Sequence, residues 1–178
     1  MARYVALLGS INVGGNRLKM VELREALERE DFADVETVVA SGNVLFTHDE
    51  RPSDGLAEKI AHVVRERFGI DTFVCVRSKA ELEAALAENP FVGENEDKYV
   101  HVHFLTGQPS EEQFARLIAD HEGRGPERLA PGTRALHIDF GNGVADSKLT
   151  GAFMEKRLGR KGTARNVRSI ARILEKFA

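Results

Sequence analysis

The sequence predicts an α+β protein of two ferredoxin-like (α/β plait) halves in tandem, the second followed by two C-terminal helices. Three observations predict it. The order strand, helix, strand, strand, helix, strand reads directly off residues 1–77, which is the split βαβ pattern. A capped helix then runs to a break at Asn89-Pro90. Beyond the break a strand, a helix and two strands around a turn repeat the first half loosely, with no residue-level repeat. The domains this implies are 1–78, a βαββαβ unit, and 79–178, a second plait-like unit carrying basic C-terminal helices.

In the first half, Tyr4 to Leu8 is an apolar run that stops at Gly9-Ser10, too brief for a signal-peptide core, and is read as a strand. Met20 to Asp31 has Met20, Leu23 and Leu27 at helical core spacing. Asp34 to Ala40 and Asn43 to His48 are β-rich runs joined by Ser41-Gly42, a hairpin signal. Ser53 is placed to cap a helix whose apolar face is Leu56, Ile60, Val63, Val64 and Phe68, and Gly69 ends it. Ile70 to Arg77 completes the set as a strand. Ser78 and Glu81 form a capping-box signature for the helix to Glu88.

In the second half, Tyr99 to Leu105 is read as a strand, Ser110 to His121 as a helix and Glu122 to Gly132 as a Gly/Pro-rich connection. Thr133 to Phe140 and Val144 to Asp146 are read as strands flanking Gly141-Asn142-Gly143, whose Asn-Gly step suits a tight hairpin. The closing helices are read as Ser147 to Leu158 and Thr163 to Phe177.

Composition narrows the function classes. Hydrophobic residues are 42% and charged residues 30% of the 178, ordinary globular usage. No apolar run approaches the ~20 residues of a bilayer span, so no membrane partner is expected. Cys75 is the only cysteine, which excludes a disulfide framework or a cysteine metal cage and fits a reducing, cytoplasmic compartment. Its neighbours Phe73, Val74 and Val76 make it a core cysteine rather than a reactive thiol. The formal charge of −3 divides unevenly: residues 1–146 carry −10 and residues 147–178 carry +7. Such a basic tail suits an anionic partner, or docks on the acidic body of the same fold or of a second subunit.

The loop from Gly9 to Asn16 follows a strand and precedes a helix, where backbone N–H groups often cradle phosphate. It lacks the Lys and Ser/Thr of a P-loop and contains no G-x-G-x-x-G, so a tight strand-to-helix connection accounts for it first and an anion site second. Split βαβ topology adds weight to the second reading, because it brings Asn12 and Gly14 to the same sheet edge as Ser41 and Asn43. In the last helix, Val167, Ile170, Ala171, Leu174 and Phe177 share one face, and Arg165, Arg168, Arg172 and Lys176 the other. With Thr163 as N-cap, Arg165 falls in the first turn against the helix dipole, a placement that asks for an anionic ligand or a carboxylate partner. His101 and His103 alternate along one strand, and His137 and Asp139 along another. They are read as facing solvent or a rim, and no metal or other cofactor is expected. No catalytic triad stands out.

At Leu7-Leu8-Gly9-Ser10-Ile11-Asn12-Val13-Gly14-Gly15, Ser41-Gly42-Asn43-Val44-Leu45-Phe46, Ser147-Lys148-Leu149-Thr150 and Gly162-Thr163-Ala164-Arg165-Asn166, the chain resembles a widespread bacterial family of unknown function, DUF1697. The resemblance spans nearly the whole chain and implies a pair of plait-like domains, with no established activity. It marks Asn12, Gly14, Gly15, Ser41, Asn43, Lys148, Thr163, Arg165 and Asn166 as motif positions without giving them roles. The family usually has Arg-Gly where this chain has Gly9-Ser10, and Trp where it has Val167.

The leading expectation is therefore a binding protein for a small phosphorylated or carboxylated ligand, held by the Asn12 loop, the Ser41–Asn43 tip and the basic C-terminal helices. Nucleic-acid binding through those helices ranks below it, because the strands lack the stacking aromatics of an RNA-binding plait. A structural or assembly module is the third reading. The sequence names no reaction and no oligomeric state.

Overall fold

A computed structural model describes residues 1–9, 17–38 and 42–177. The chain divides into two compact units, Met1–Leu82 with Ala171–Ala178, and Glu83–Ile170.

The first unit is built on strands β1 (Ala2–Leu8), β2 (Ala33–Thr37), β3 (Asn43–His48) and β4 (Val74–Ser78), with helices α1 (Met20–Glu28) and α2 (Ser53–Phe68). The sheet is antiparallel in the order β2-β3-β1-β4. Alternation along β1 sends Tyr4, Ala6 and Leu8 to the helix side, where they pack with Leu23 and Leu27 of α1 and Leu56, Ile60 and Val64 of α2. Val5 and Leu7 point the other way and are also buried. Gly69 closes α2 in the left-handed conformation, as its position in the sequence predicts. Ser53 is instead the first helical residue, preceded by Pro52. Helix α1 stops three residues short of the expected end, and Asp31 just beyond takes a φ of 67°. Strand β4 begins at Val74 rather than Ile70. The far end of the expected second strand, 39–40, lies outside the described residues.

Helix α3 (Lys79–Glu88) follows, with the capping box read from the sequence: Ser78 N–H donates to Glu81 Oε1 at 2.9 Å, and Glu81 N–H to Ser78 Oγ at 3.2 Å. At its end Asn89 Oδ1 accepts from Phe91 N–H at 2.9 Å, turning the chain into the second sheet.

The second unit has β5 (Val100–Leu105), α4 (Glu111–His121), β6 (Arg128–Pro131), β7 (Ala135–Asp139), α5 (Gly151–Leu158) and β8 (Gly162–Asn166), and is followed by α6 (Val167–Lys176). Its order, β6-β7-β5-β8, is that of the first sheet, so this half is a full βαββαβ unit. Three element assignments from sequence are corrected here. The segment 122–132, read as a connection, contains β6. The hairpin turns at 132–134, where Gly132 N–H donates to Ala135 O and Arg134 takes a φ of 51°; Val144–Asp146 is not a strand. The segment 162–166, read as opening the last helix, is β8, paired with β5 from His101↔Asn166 to Leu105↔Gly162. Helix α5 therefore belongs inside the plait, and α6 alone follows it.

Candidate functional site

Strand register fixes what meets at the carboxyl end of β1. Leu7 pairs with Asn43, Leu8 N–H donates to Gly42 O at 2.8 Å, and Gly9 N–H donates to Phe73 O at 3.0 Å. The Thr72 hydroxyl donates to the Gly9 carbonyl. The Phe73 ring fills the space where any Cβ on residue 9 would stand, so this position accepts only glycine without a rearrangement. Gly42 takes a φ of 95°, a left-handed turn at the start of β3. Asn43 is 2% exposed, a buried polar residue directly inside this edge. Asn12, Gly14, Gly15 and Ser41 lie outside the described residues; on this edge one described segment stops at Gly9 and another begins at Gly42.

The other motif residues belong to the second unit and do different things. Thr163 and Arg165 alternate on β8, and Arg165 Nη1 donates to Thr163 Oγ1 at 2.6 Å and to Ala164 O at 3.0 Å. Arg165 is thus a strand residue and not one of the first turn of the last helix. Asn166 is the true cap of α6: its Oδ1 accepts from Ser169 N–H at 2.8 Å. Lys148 is exposed, ahead of α5, and its carbonyl accepts from Arg124 Nη2 at 3.5 Å. Lys176, read as part of the same cationic face as Arg165, pairs with Glu36 Oε1 at 3.3 Å within the first unit. The structure joins Thr163 to Arg165 and sets Asn43 at the β1 edge; it does not make one basic helix face of Arg165 and Lys176.

The histidines also depart from expectation. His101 and His103 share the face of Leu105, which packs with Phe114 and Leu117 of α4 and Met154 and Leu158 of α5. His103 is 4% exposed, and the His101 and Phe140 rings pack edge to face with 4.7 Å between their centroids. Burial in this apolar layer, reinforced by His101, pushes the His103 ring down to about 4. Burial likewise lowers His101. His137 pairs across the sheet with Val102 and so looks out of the opposite face, which separates it from the other two. Among the described residues no group of three or more His, Cys, Asp or Glu is placed to hold a metal.

Two carboxylate networks on that opposite face, one around the exposed Glu88 and one around the buried Asp139, were not legible as sites. Glu88, the last residue of α3, accepts from Thr133 N–H, the Thr133 hydroxyl and His137 Nε2, each at 2.9 Å. Burial raises the Glu88 carboxyl, but these bonds outweigh it and the net shift is downward; burial lowers His137. Asp139 accepts from Arg128 Nη2 at 2.7 Å, Asn95 Nδ2 at 2.8 Å and Gly141 N–H at 2.9 Å, which outweigh its burial and lower it. The sequence signal for the second was Asp139, and for the first His137, at alternate strand positions; Glu88, at a helix end, gave none. Elsewhere in this unit a shallow cleft of about 500 Å³ over the start of α4 is lined by Ser110, Gln113, Arg116 and Arg157 among others. Both arginines are paired to Asp120, at 3.8 and 2.9 Å.

The comparisons with known proteins bear on this arrangement. A family profile described as "Protein of unknown function (DUF1697)" matches residues 1–137, well over half of the chain. The chain belongs to this family. Its match covers all of the first sheet and the second as far as the middle of β7. A solved structure titled "The structure of conserved bacterial protein SP0830 from Streptococcus pneumoniae" has the same fold, with a TM-score of 0.74 and 24% identity over 99% of this chain and 98% of that one. No curated protein matches this DUF1697 chain. The two antiparallel sheets and their tandem arrangement are the fold that the sequence predicts, and the molecular function of the family is unknown. No helix among the described residues is long and apolar enough to cross a membrane.

Proposed function

We propose that this protein binds a small phosphorylated or carboxylated ligand at the edge of the first sheet, where β1 ends and β3 begins. The observation that supports the reading is the register itself: Leu8 N–H bonded to Gly42 O, beside the Leu7↔Asn43 pair. It gives the segment 10–16, with Gly14 and Gly15, and the segment 39–41, which ends against Gly42, neighbouring attachment points on two hydrogen-bonded strands. Loops carried in this way on a rigid sheet are frequent sites of ligand capture, and short polar side chains with glycine backbone suit an anion. Asn12, Gly14, Gly15, Ser41 and Asn43 are the residues assigned to it. Lys148, Thr163, Arg165 and Asn166 are not needed for it, since Asn166 caps a helix and Arg165 bonds within its own strand. A cytoplasmic setting agrees with the single, buried cysteine.

The test is a thermal-shift series with inorganic phosphate, AMP, ribose 5-phosphate and citrate on the full chain. A saturable rise in Tm with one of them, lost in Asn12→Ala and kept in Lys148→Ala, is the expected outcome. No rise at millimolar ligand, or a rise unaffected by Asn12→Ala, sinks the reading. Nucleic-acid binding through the tail is the second reading: α6 keeps Arg168, Arg172 and Lys176 exposed, without Arg165, and salt-sensitive retention of the protein on RNA or DNA is the result that would favour it.

A further inference from the structure

The connection from β7 to α5 carries Gly141-Asn142-Gly143, the one Asn-Gly step in the chain. It forms no strand, and the Asn142 side chain is exposed and makes no hydrogen bond among the described residues. The other described asparagines are held. Asn43 and Asn89 are 2% and 5% exposed, and Asn89 is followed by Pro90, which has no N–H. Asn95 Nδ2 donates to Asp139 Oδ1 and to Gly141 O, each at 2.8 Å, and its Oδ1 accepts Glu96 N–H at 2.8 Å. Asn166 Oδ1 accepts Ser169 N–H at 2.8 Å.

Asparagine is a chemically labile residue, and the residue after it decides how labile. The next main-chain nitrogen can close a five-membered ring on the side-chain carbonyl carbon unless a side chain or a fixed backbone blocks the approach. Gly143 has no side chain, and the space beside it is open: Tyr99 Cε1 is 3.9 Å from where a Cβ would stand. Its N–H reaches Phe140 O at 3.4 Å, a long bond that holds the nitrogen weakly. Gly141, with a φ of 70°, and Gly143, with a φ of 152°, leave Asn142 between two conformationally permissive neighbours.

We propose that Asn142 is a site of spontaneous modification, with water as its one co-reactant. The Gly143 nitrogen bonds to the Asn142 side-chain carbonyl carbon and the amide C–N bond breaks. The nitrogen's proton leaves with the amide group as ammonia, and a cyclic imide remains. Water adds to either imide carbonyl and opens the ring, to aspartate or to isoaspartate, with no change of oxidation state. Both products add a negative charge, and isoaspartate also lengthens the main chain by one methylene. Asn142 lines a cavity of about 290 Å³ with Glu127 and Asp146, and no lining residue is basic. The modification therefore adds like charge to a connection that has no cation to receive it. It is independent of the ligand site on the first sheet.

Storage of the full chain in warm neutral buffer, followed by peptide mapping and ion exchange, tests it. Conversion of Asn142 severalfold faster than of Asn43, Asn89, Asn95 or Asn166 is expected, with isoaspartate in its peptide and a matching acidic species on the column. Asn142→Gln, which would have to close a six-membered ring, should remove that species at unchanged Tm. The unaltered chain in urea is the second measurement. Asn142 should convert at a similar rate folded and unfolded, whereas Asn95 and Asn166 should convert faster once their hydrogen bonds are lost. An Asn142 that stays intact while other asparagines convert, or whose rate rises manyfold on unfolding, overturns the proposal.

Discussion

His137 and Glu88 share a 2.9 Å hydrogen bond beside Gly132, whose missing side chain makes the bond possible. A Cβ on residue 132 would stand 2.5 Å from His137 Nε2 and 2.8 Å from Glu88 Oε2. The glycine is thus fixed by side-chain crowding, and it ties the end of α3 to the β6–β7 hairpin. Gly132→Ala should destabilise the second unit by about 1 kcal/mol, the lower end of the cost of overpacking, because the exposed Glu88 side chain can swing aside once its bond to His137 is given up. Urea unfolding of the variant measures it, and pairing it with Glu88→Ala should recover part of the loss.

Acid should weaken the fold in a defined window. His103 is held near 4 when folded, against an ordinary value of 6.5, so the unfolded chain takes up its proton first. Stability contributed by the neutral ring is complete above about 6.5 and is lost as the pH falls towards 4, by about 3 kcal/mol. Glu88 and Asp139, both lowered, add losses at still lower pH as their folded forms protonate. Denaturant melts at pH 7.5 and 4.5 should show the decline, and His103→Leu should flatten it.

Asp139→Ala leaves the Gly141 N–H without its acceptor, while the Asn95 amide keeps its bond to Gly141 O and the Arg128 guanidinium its bond to Glu94. Arg128 is half exposed and rehydrates, so the cost falls chiefly on the Gly141 donor, about 1–2 kcal/mol. Asp139→Asn should lose less, because one amide oxygen still accepts. Thermal denaturation ranks the two.

Asn166→Ala removes the cap of α6 and should cost about 1 kcal/mol, with Asn166→Asp nearly neutral. Circular dichroism melts separate this from a ligand role, since a cap variant changes Tm equally with and without phosphate compounds present.

Most of the first unit was legible because its strands and helices bury contiguous apolar faces: Tyr4, Ala6 and Leu8 on β1, Leu56, Ile60 and Val64 on α2. The two strands that were missed, β6 and β8, are both sheet edges, and every residue of β8 is only half buried. An edge strand need not alternate apolar and polar residues, so Gly162 to Asn166 carried no period-two signal, and its basic residues merged with those of α6. The turn at Gly132-Thr133-Arg134 was hidden for a different reason. Arg134 takes a left-handed φ that Asn or Gly normally advertises, while the advertised Asn142-Gly143 serves the irregular connection to α5. The candidate site was legible as far as topology carried it, to the junction of Leu8 with Gly42. The networks of Glu88 and Asp139 were not, because such an acid is recognisable only once its donors on distant segments are known.

The first unit takes Met1–Leu82 from one end of the chain and the segment from Ala171 from the other, with Lys176 paired to Glu36. On the ribosome, that closing segment emerges only after the whole of Glu83–Ile170 has been made. The second unit can therefore reach its native form during synthesis while the first, although translated earlier, still lacks a piece. Nascent-chain arrest at successive lengths should find the second unit protease-resistant before the first, an inversion of the order in which the two are encoded.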